Sequence, residues 1–472
     1  MLRPWKLKIQ LDPQSEKAIY LQLADAIIAD IRSGRLKGGT ALPGSRALAN
    51  ELQLNRNTIV EALNVLLNEE WIISRERKGT FVAEELPILS KRRSGSSEDK
   101  PREEKAPLFH IIFDDGAPDS KIAPIDELVR AYRQIFKQKG RWQMMGYGCE
   151  YGEVEFRGAL AQMLNHQRGM QVDADKICVT RGSQMAMYLT AHCLLTKGDA
   201  ILIETPGYKP AWKAFEATGA TLLPVRVDKD GLLISDVETH LQSGKRIKAL
   251  YTTPHHQYPT TVTLSLQRRL ELVRLSNEHG FTIIEDDYDN EFHFGYRPVL
   301  PICSFEGMKN FVYIGTMSKV VAPALRIGYL VCGRPALLDK AADLRKIIDV
   351  QGDTIMEQAV LQLINDGTIK RHLKRATGYY RSKRDFTAGL LQTHLAEKAL
   401  FDTPDGGLAF WVLPNKKTDW PSVSKKLQAK GIKIITPEQY SFGKMENGIR
   451  LSYGSLSEKQ LEEGIAALGR LL

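Results

Sequence analysis

Residues 315–331 read GTMSKVVAPALRIGYLV and grow out of the apolar run FVYIG at 311–315. Lys319 leaves this strand-like run among small residues, and Arg326 follows seven positions later. A serine–lysine pair alone carries no signal. A lysine at the end of a buried strand, however, can be desolvated enough to form a Schiff base with an aldehyde. Thr316, Ser318 and Arg326 add two hydroxyls and a guanidinium fork, a set suited to a phosphate.

Around this stretch, apolar strands alternate with amphipathic helices: KICVT (176–180), DAILIE (199–204), ATLLPV (220–225), KALYTT (248–253), FTIIEDDY (281–288), NFVYIG (310–315) and RIGYLV (326–331). That alternation predicts an α/β fold, a mostly parallel sheet with helices on both faces, over residues 108–350. Residues 351–472 turn helical and then mixed, as expected of a smaller C-terminal α+β lobe. The chain has 472 residues, too many for one ordinary core.

Three further segments supply chemistry. In FTIIEDDYDNEF (281–292), Asp286 and Tyr288 share one face at the C-terminal edge of the sheet, where α/β proteins bind ligands. An aspartate there can keep a pyridine nitrogen protonated, and a tyrosine can bond a phenolic oxygen. The same cluster also reads as a metal site or a solvated acidic patch. In VTRGSQMAM (179–187), Ser183 and Gln184 open a helix whose free N–H groups suit a phosphate. In ETPGYKPAW (204–212), Tyr208 sits where an aromatic ring stacks on a flat cofactor. His255 and His256 of TTPHHQYPT (252–260) read as polar loop residues, and no metal site is expected.

The first 82 residues form a different kind of unit. Ile19, Leu23, Ile27 and Ile31 recur every fourth position, LPGSRALANEL (42–52) gives a short second helix capped by Ser45, and Asn55 caps a third. WIISRERKGTFVAE (71–84) reads as a hairpin turning at Lys78-Gly79. Three helices and a basic hairpin make a winged helix-turn-helix, which directs the first turn of its third helix into the major groove of DNA. Arg56, Asn57 and Thr58 occupy that turn and can bond base edges or phosphates. Arg46 and the wing residues Arg75, Arg77 and Lys78 would meet the backbone. Residues 1–82 hold 12 Lys and Arg against 9 Asp and Glu, so placement rather than total charge carries the case. Residues 83–107, rich in Ser, Pro, Lys and Glu, are expected to be a flexible linker.

Bulk charge is compatible with nucleic acid as a partner, as it is in many basic proteins that bind none. The net charge is +9. Five scattered cysteines without a C-x-x-C pair point to a reducing cytoplasm. The start of the chain leads into no secretory h-region, and no apolar run approaches the roughly 20 residues of a membrane span.

The N-terminal unit resembles the reader of GntR-type regulators: Leu42-Pro43, Ser45-Arg46, Leu48-Ala49, then Arg56 and Thr58, then Gly79, Phe81 and Val82. It departs at Asn55, where Ser is usual. From about residue 110 onward the chain resembles fold type I pyridoxal-phosphate aminotransferases. By that resemblance, Lys319 carries pyridoxal 5'-phosphate as an internal aldimine, and Asp286 pairs with the pyridinium. Tyr288 bonds the phenolic oxygen, and Tyr208 stacks on the ring. Ser183, Gln184, Thr316, Ser318 and Arg326 hold the phosphate. Arg450, in the late GIRLSYG, takes an amino acid's carboxylate. Tyr258 stands where aminotransferases carry Asn before the proline, which weighs against turnover. Arg181 replaces a small residue.

The two halves together resemble the MocR subfamily of GntR-type transcription regulators. That resemblance implies a double-stranded DNA operator, an amine or amino acid effector or the cofactor itself as the signal, and a head-to-tail homodimer. Two other functions compete: a working pyridoxal-phosphate aminotransferase with an accessory N-terminal domain, and a plain repressor whose C-terminal half only dimerises. The intact DNA motif opposes the first, and the complete set around Lys319 opposes the second.

Overall fold

The computed structural model describes residues 11–12, 14–75, 78–86, 109–137, 142, 144–295 and 299–472. The chain divides into two compact units, Met1–Lys105 and Ala106–Leu472.

In the first unit the helix Ile19–Arg32 packs Leu23, Ala24, Ile27 and Ile31 inward, the near-fourfold spacing of one helix face. The helices Ser45–Leu52 and Arg56–Asn68 follow, closed on the core by Leu48, Ile59, Ala62 and Leu66. Asn55 caps the third helix, its side chain accepting the N–H of Asn57 at 2.9 Å. Ser45 does not cap the second. Gly44 occupies that position and Ser45 is the first helical residue, with no side-chain cap bond. Strands Ile72–Arg75 and Gly79–Val82 pair antiparallel to form the wing, and Phe81 also bridges Ala41. Most of the expected linker lies outside the described residues. Its first residue, Ala83, is buried and donates its N–H to Trp71 O at 3.0 Å.

The second unit is built on an eight-stranded sheet. Its strands run in the order Ile177–Thr180, Gly328–Cys332, Phe311–Thr316, Thr282–Asp287, Ile247–Thr252, Ala200–Thr205, Thr221–Asp228 and Gly231–Leu232. The five from Phe311–Thr316 to Thr221–Asp228 are parallel; Gly328–Cys332 runs against both of its neighbours. Central strands such as Thr282–Asp287 and Phe311–Thr316 are buried along their whole length, because helices cover both sheet faces. Two apolar clusters result, one on each face. A third fills the C-terminal lobe, where Ala409–Pro414 pairs with Ala399–Leu400 and Ile449–Ser452. Ile111–Ile112 pairs in parallel with Ile432–Lys433, stitching the start of this unit to the lobe near its end. The helix Thr368–Leu395 spans 28 residues.

Candidate functional site

Parallel strands end on the same side of a sheet, so the loops after Thr205, Thr252, Asp287 and Thr316 converge. The cavity they enclose, about 140 Å³, is lined by Asp115, Ser183, Tyr208, Thr253, Tyr258, Asp286, Tyr288, Thr316, Ser318, Lys319 and Arg326. Eight of these are the residues expected from sequence. Asp115 and Thr253 carry no sequence signal for it, and Tyr258 joins them from the loop before Pro259.

Asp286 forms the floor. Its Oδ2 accepts the hydroxyl of Tyr251 at 2.8 Å, and its Oδ1 has no partner. Burial pushes the carboxyl up to about 6, partly opposed by the Tyr251 hydroxyl and the Lys319 charge. The cofactor-free fold thus binds this proton more tightly than the unfolded chain, so its stability falls as pH rises between about 4 and 6. The loss amounts to roughly 3 kcal/mol above that window. In the cofactor-free protein, Asp286→Asn is expected to abolish this fall and to melt no lower than the parent at neutral pH, while retaining less cofactor. Melting curves across pH test it. A stability difference between the two proteins that does not change with pH contradicts the assignment.

Lys319 lies just beyond the strand Phe311–Thr316, with its Nζ 4.5 Å from the centroid of the Tyr288 ring. Burial holds the ammonium below its ordinary pKa, with Arg450 adding to the effect and Asp289, Asp115 and Asp114 opposing it. Its amine is thereby nearer the free-base form that nucleophilic chemistry requires.

Ser183 begins the helix Ser183–Leu194, behind Gly182 at φ +87°. Arg326 adopts φ +53° and its Nη2 donates to Arg181 O at 3.0 Å. A Cβ on Gly182 would lie 2.8 Å from that Nη2, and one on Gly328 would lie 2.6 Å from Gly182 Cα. Only glycines permit so close an approach of strand edge, helix start and guanidinium. Thr316 Oγ1 donates to Ile327 O at 3.2 Å and accepts the Ser318 N–H at 3.1 Å, while Ser318 Oγ has no partner. Gln184 departs from expectation. Its side-chain amide donates to Pro210 O at 3.0 Å and does not line the cavity, leaving only its backbone N–H at the helix start.

The opposite wall is aromatic and charged. The Tyr208 and Tyr258 rings meet edge-on with centroids 5.1 Å apart, and the Tyr258 hydroxyl donates to Asp115 Oδ1 at 2.7 Å. Tyr288 donates to His256 O at 2.7 Å, and His256 in turn pairs with buried Asp289 at 2.7 Å. His255 is also buried, with Nε2 bonded to Val299 O at 2.8 Å, so both histidines lie in the loop as expected but are packed into the fold. Arg450, on the strand Ile449–Ser452, is buried over the Tyr258 ring at 5.0 Å. It donates to Pro259 O at 3.2 Å and Tyr288 Oη at 3.4 Å, and its Nε is unpartnered. A Cβ on Gly116 would lie within 3.7 Å of both Arg450 Nη2 and Lys319 Nζ, so this backbone runs between the two cations.

Buried polar groups ordinarily find partners, and the exceptions call for an explanation. Here Asp286 Oδ1 and Ser318 Oγ are orphaned within one cavity that also holds a desolvated lysine and a helix start. An acceptor for a ring N–H, a cradle for a phosphate and a buried amine fit pyridoxal phosphate.

On the first unit, Arg46, Arg56 and Asn57 are exposed and Thr58 is half-buried. Arg75 is partly engaged, bonded to Glu84 at 3.0 Å and lying over Phe81. Lys78 is exposed beside the wing turn; Arg77 lies outside the described residues.

Fold and site together define a pyridoxal-phosphate-type aminotransferase domain joined to a winged helix-turn-helix. The chain belongs to the aminotransferase class I and II family, which matches residues 115–468, and carries a gntR-family bacterial regulatory domain at 19–82, the pairing of the MocR subfamily. It is 27% identical to the "Probable rhizopine catabolism regulatory protein MocR" of Rhizobium meliloti, over 97% of this chain and 94% of that one. It is 28% identical to the HTH-type transcriptional regulator TauR of Rhodobacter capsulatus, over 98% of both. Among solved structures, the α-aminoadipate aminotransferase of Thermus thermophilus superposes with a TM-score of 0.71 at 26% identity, over 77% of this chain and 92% of that one. An archaeal alanine:glyoxylate aminotransferase gives 0.72 at 26%, over 76% and 90%. Family and fold imply pyridoxal phosphate as cofactor, and the gntR domain implies DNA as partner. Among the described residues, no helix is long and apolar enough to cross a membrane.

Proposed function

We propose that the protein is a cytoplasmic, DNA-binding transcription regulator whose large unit holds pyridoxal phosphate on Lys319 and senses a primary amine or amino acid, or the cofactor itself. One observation carries this reading: a single chain joins a gntR-family reader to a cavity whose orphaned polar atoms suit that cofactor. A working aminotransferase has no use for the reader.

When bound, pyridoxal phosphate supplies an aldehyde that combines with primary amines and a ring that draws electrons. The protein's own groups do the rest. Asp286 holds a proton at the ring nitrogen through its free Oδ1. Ser183, Thr316, Ser318, Arg326 and the Gln184 backbone N–H bind phosphate. Tyr208 would cover the ring face, and Tyr288, whose hydroxyl donates to His256 O, would offer its hydroxyl oxygen beside the phenolic oxygen. Lys319, its ammonium held below the ordinary lysine range by burial, would be the amine that holds the aldehyde.

Arg450 offers an unpartnered N–H to a carboxylate. It stands on the C-terminal lobe, whereas Lys319 stands on the sheet, so an amino acid touching both draws the lobes together. That is the differential contact a ligand-driven shift requires. Tyr258, held by Asp115, stands by resemblance where aminotransferases carry Asn, which favours sensing over turnover. Two copies packed head to tail would transmit the shift to paired readers.

Calorimetry on the cofactor-loaded protein tests the reading. Arg450→Lys is expected to weaken amino acids about 10-fold or more, the worth of a charged hydrogen bond, and to spare amines without a carboxylate. Unchanged amino acid binding in that variant would remove the bridging role. Failure of every amine and amino acid to bind would leave the cofactor as the signal.

A further inference from the structure

Besides Asp286, the aspartates Asp289, Asp115 and Asp114 all face the Lys319 charge. Two of these three are committed to the fold. Asp114 Oδ1 accepts the N–H groups of Gly116 and Ala117 at 2.9 Å each, and its Oδ2 accepts the Ser455 hydroxyl at 3.0 Å. Asp289 is buried and paired with His256. Asp115 is different. It lines the cavity yet is exposed, so it stands at the mouth. Its Oδ1 accepts one neutral donor, the Tyr258 hydroxyl, and among the described residues no cation lies within ion-pair distance of it. Lys209, next to Tyr208 in the chain, donates to Glu438 O at 3.0 Å instead.

The position of this carboxylate gives it a use. The Gly116 backbone, next in the chain, runs between Arg450 and Lys319. Arg450 lies over the ring of the same tyrosine whose hydroxyl Asp115 accepts. A guanidinium with a free Nε and a carboxylate without a cation are thus held one tyrosine side chain apart, and they do not pair with each other. Opposite charges kept apart in this way suit a ligand that carries the complementary charge at each end. A second carboxylate on that ligand would meet Asp115 as a like charge and be rejected.

We propose that Asp115 selects the side chain of the effector. The site takes an amino acid with a second cationic group, its α-carboxylate on Arg450 and its side-chain cation on Asp115, and turns away acidic amino acids. This rests on the amine-sensing reading above and names the class of amino acid. Asp115 is exposed, so solvent screens the contact and the gain is modest: about fivefold in affinity at low salt, shrinking as salt rises.

Calorimetry on the cofactor-loaded, full-length protein tests it with L-ornithine against L-norvaline and L-lysine against L-norleucine. Each pair shares a chain length and differs by one ammonium group. L-glutamate is added as the acidic probe. Propylamine, with neither a carboxylate nor a second cation, reports amine binding by itself. In the parent, the basic member of at least one pair is expected to bind about fivefold tighter than its neutral partner, and glutamate more weakly than either neutral compound. In D115N the amide oxygen still accepts the Tyr258 hydroxyl but the charge is gone. There the ratio within the pair is expected to fall to near one and glutamate to gain. Retained cofactor absorption reports that the variant folds. Neutral members that bind as tightly as their basic partners in the parent overturn the proposal whatever the variant does. So does a preference that survives D115N, or one that does not shrink with salt. If propylamine binds while neither pair discriminates, this inference alone falls. If neither propylamine nor any of the amino acids binds, the amine-sensing reading falls first and this one with it.

Discussion

Lys319→Ala is expected to yield a folded protein from which pyridoxal phosphate washes away. In the parent, borohydride should fix the cofactor irreversibly to the peptide that contains residue 319; in the variant it should fix none. The prediction follows from burial. Lys319 is held below its ordinary pKa in a cavity whose other groups suit the ring and the phosphate, so it is the amine placed to engage an aldehyde there. Weak, reversible retention by the variant remains compatible, because Asp286, Ser183 and Arg326 still bind ring and phosphate. Truncating one side chain that lines a cavity leaves the sheet intact, so melting should shift little. A variant that still traps cofactor covalently would place the anchor on another lysine.

The second large effect lies at the reader. Arg46→Ala and Arg56→Ala should each weaken operator binding by about 1–3 kcal/mol, which is roughly 5- to 150-fold. Both side chains are exposed and stand at the starts of the two helices that approach DNA in this motif. Neither packs in the core formed by Leu23, Ile27, Leu48, Ile59 and Leu66, so folding should be unaffected. The two differ in kind if Arg56 reads a base and Arg46 a phosphate. Arg56→Ala then relaxes sequence preference, and Arg46→Ala weakens all sequences alike. Gel shifts at fixed salt distinguish these outcomes; unchanged affinity in both variants would contradict the docking.

The large sheet was legible because strands buried on both faces must be continuous apolar runs, and each of the seven runs read from sequence is a strand of it. Lys319, Asp286, Tyr288 and Tyr208 were legible for a related reason. Each follows or ends such a run, and strand ends converge. What escaped was pairing at long range. Tyr251 orients Asp286 across neighbouring strands, and Asp115 holds Tyr258 from 143 residues away. No spacing in a sequence encodes such contacts. Gln184 was half right: a helix start fixes where its N–H sits, but the amide turns to Pro210. The cap on the second helix was misplaced by one residue, because Gly44 and Ser45 both suit the position and the backbone decides between them. The lobe's strands, only two to six residues long, carry too little periodicity to read.

Regulation by this protein requires that chemistry at Lys319 reach the DNA. One measurement addresses this directly: cofactor absorption and DNA affinity followed together while the loaded protein is titrated with a panel of amino acids and amines. The expected result is that at least one compound, or removal of the cofactor itself, shifts both signals over the same concentration range, and that Lys319→Ala loses both responses. An amino acid that changes the absorption and turns over to its keto acid while DNA affinity stays constant would contradict it, and would identify a transaminase that happens to carry a reader.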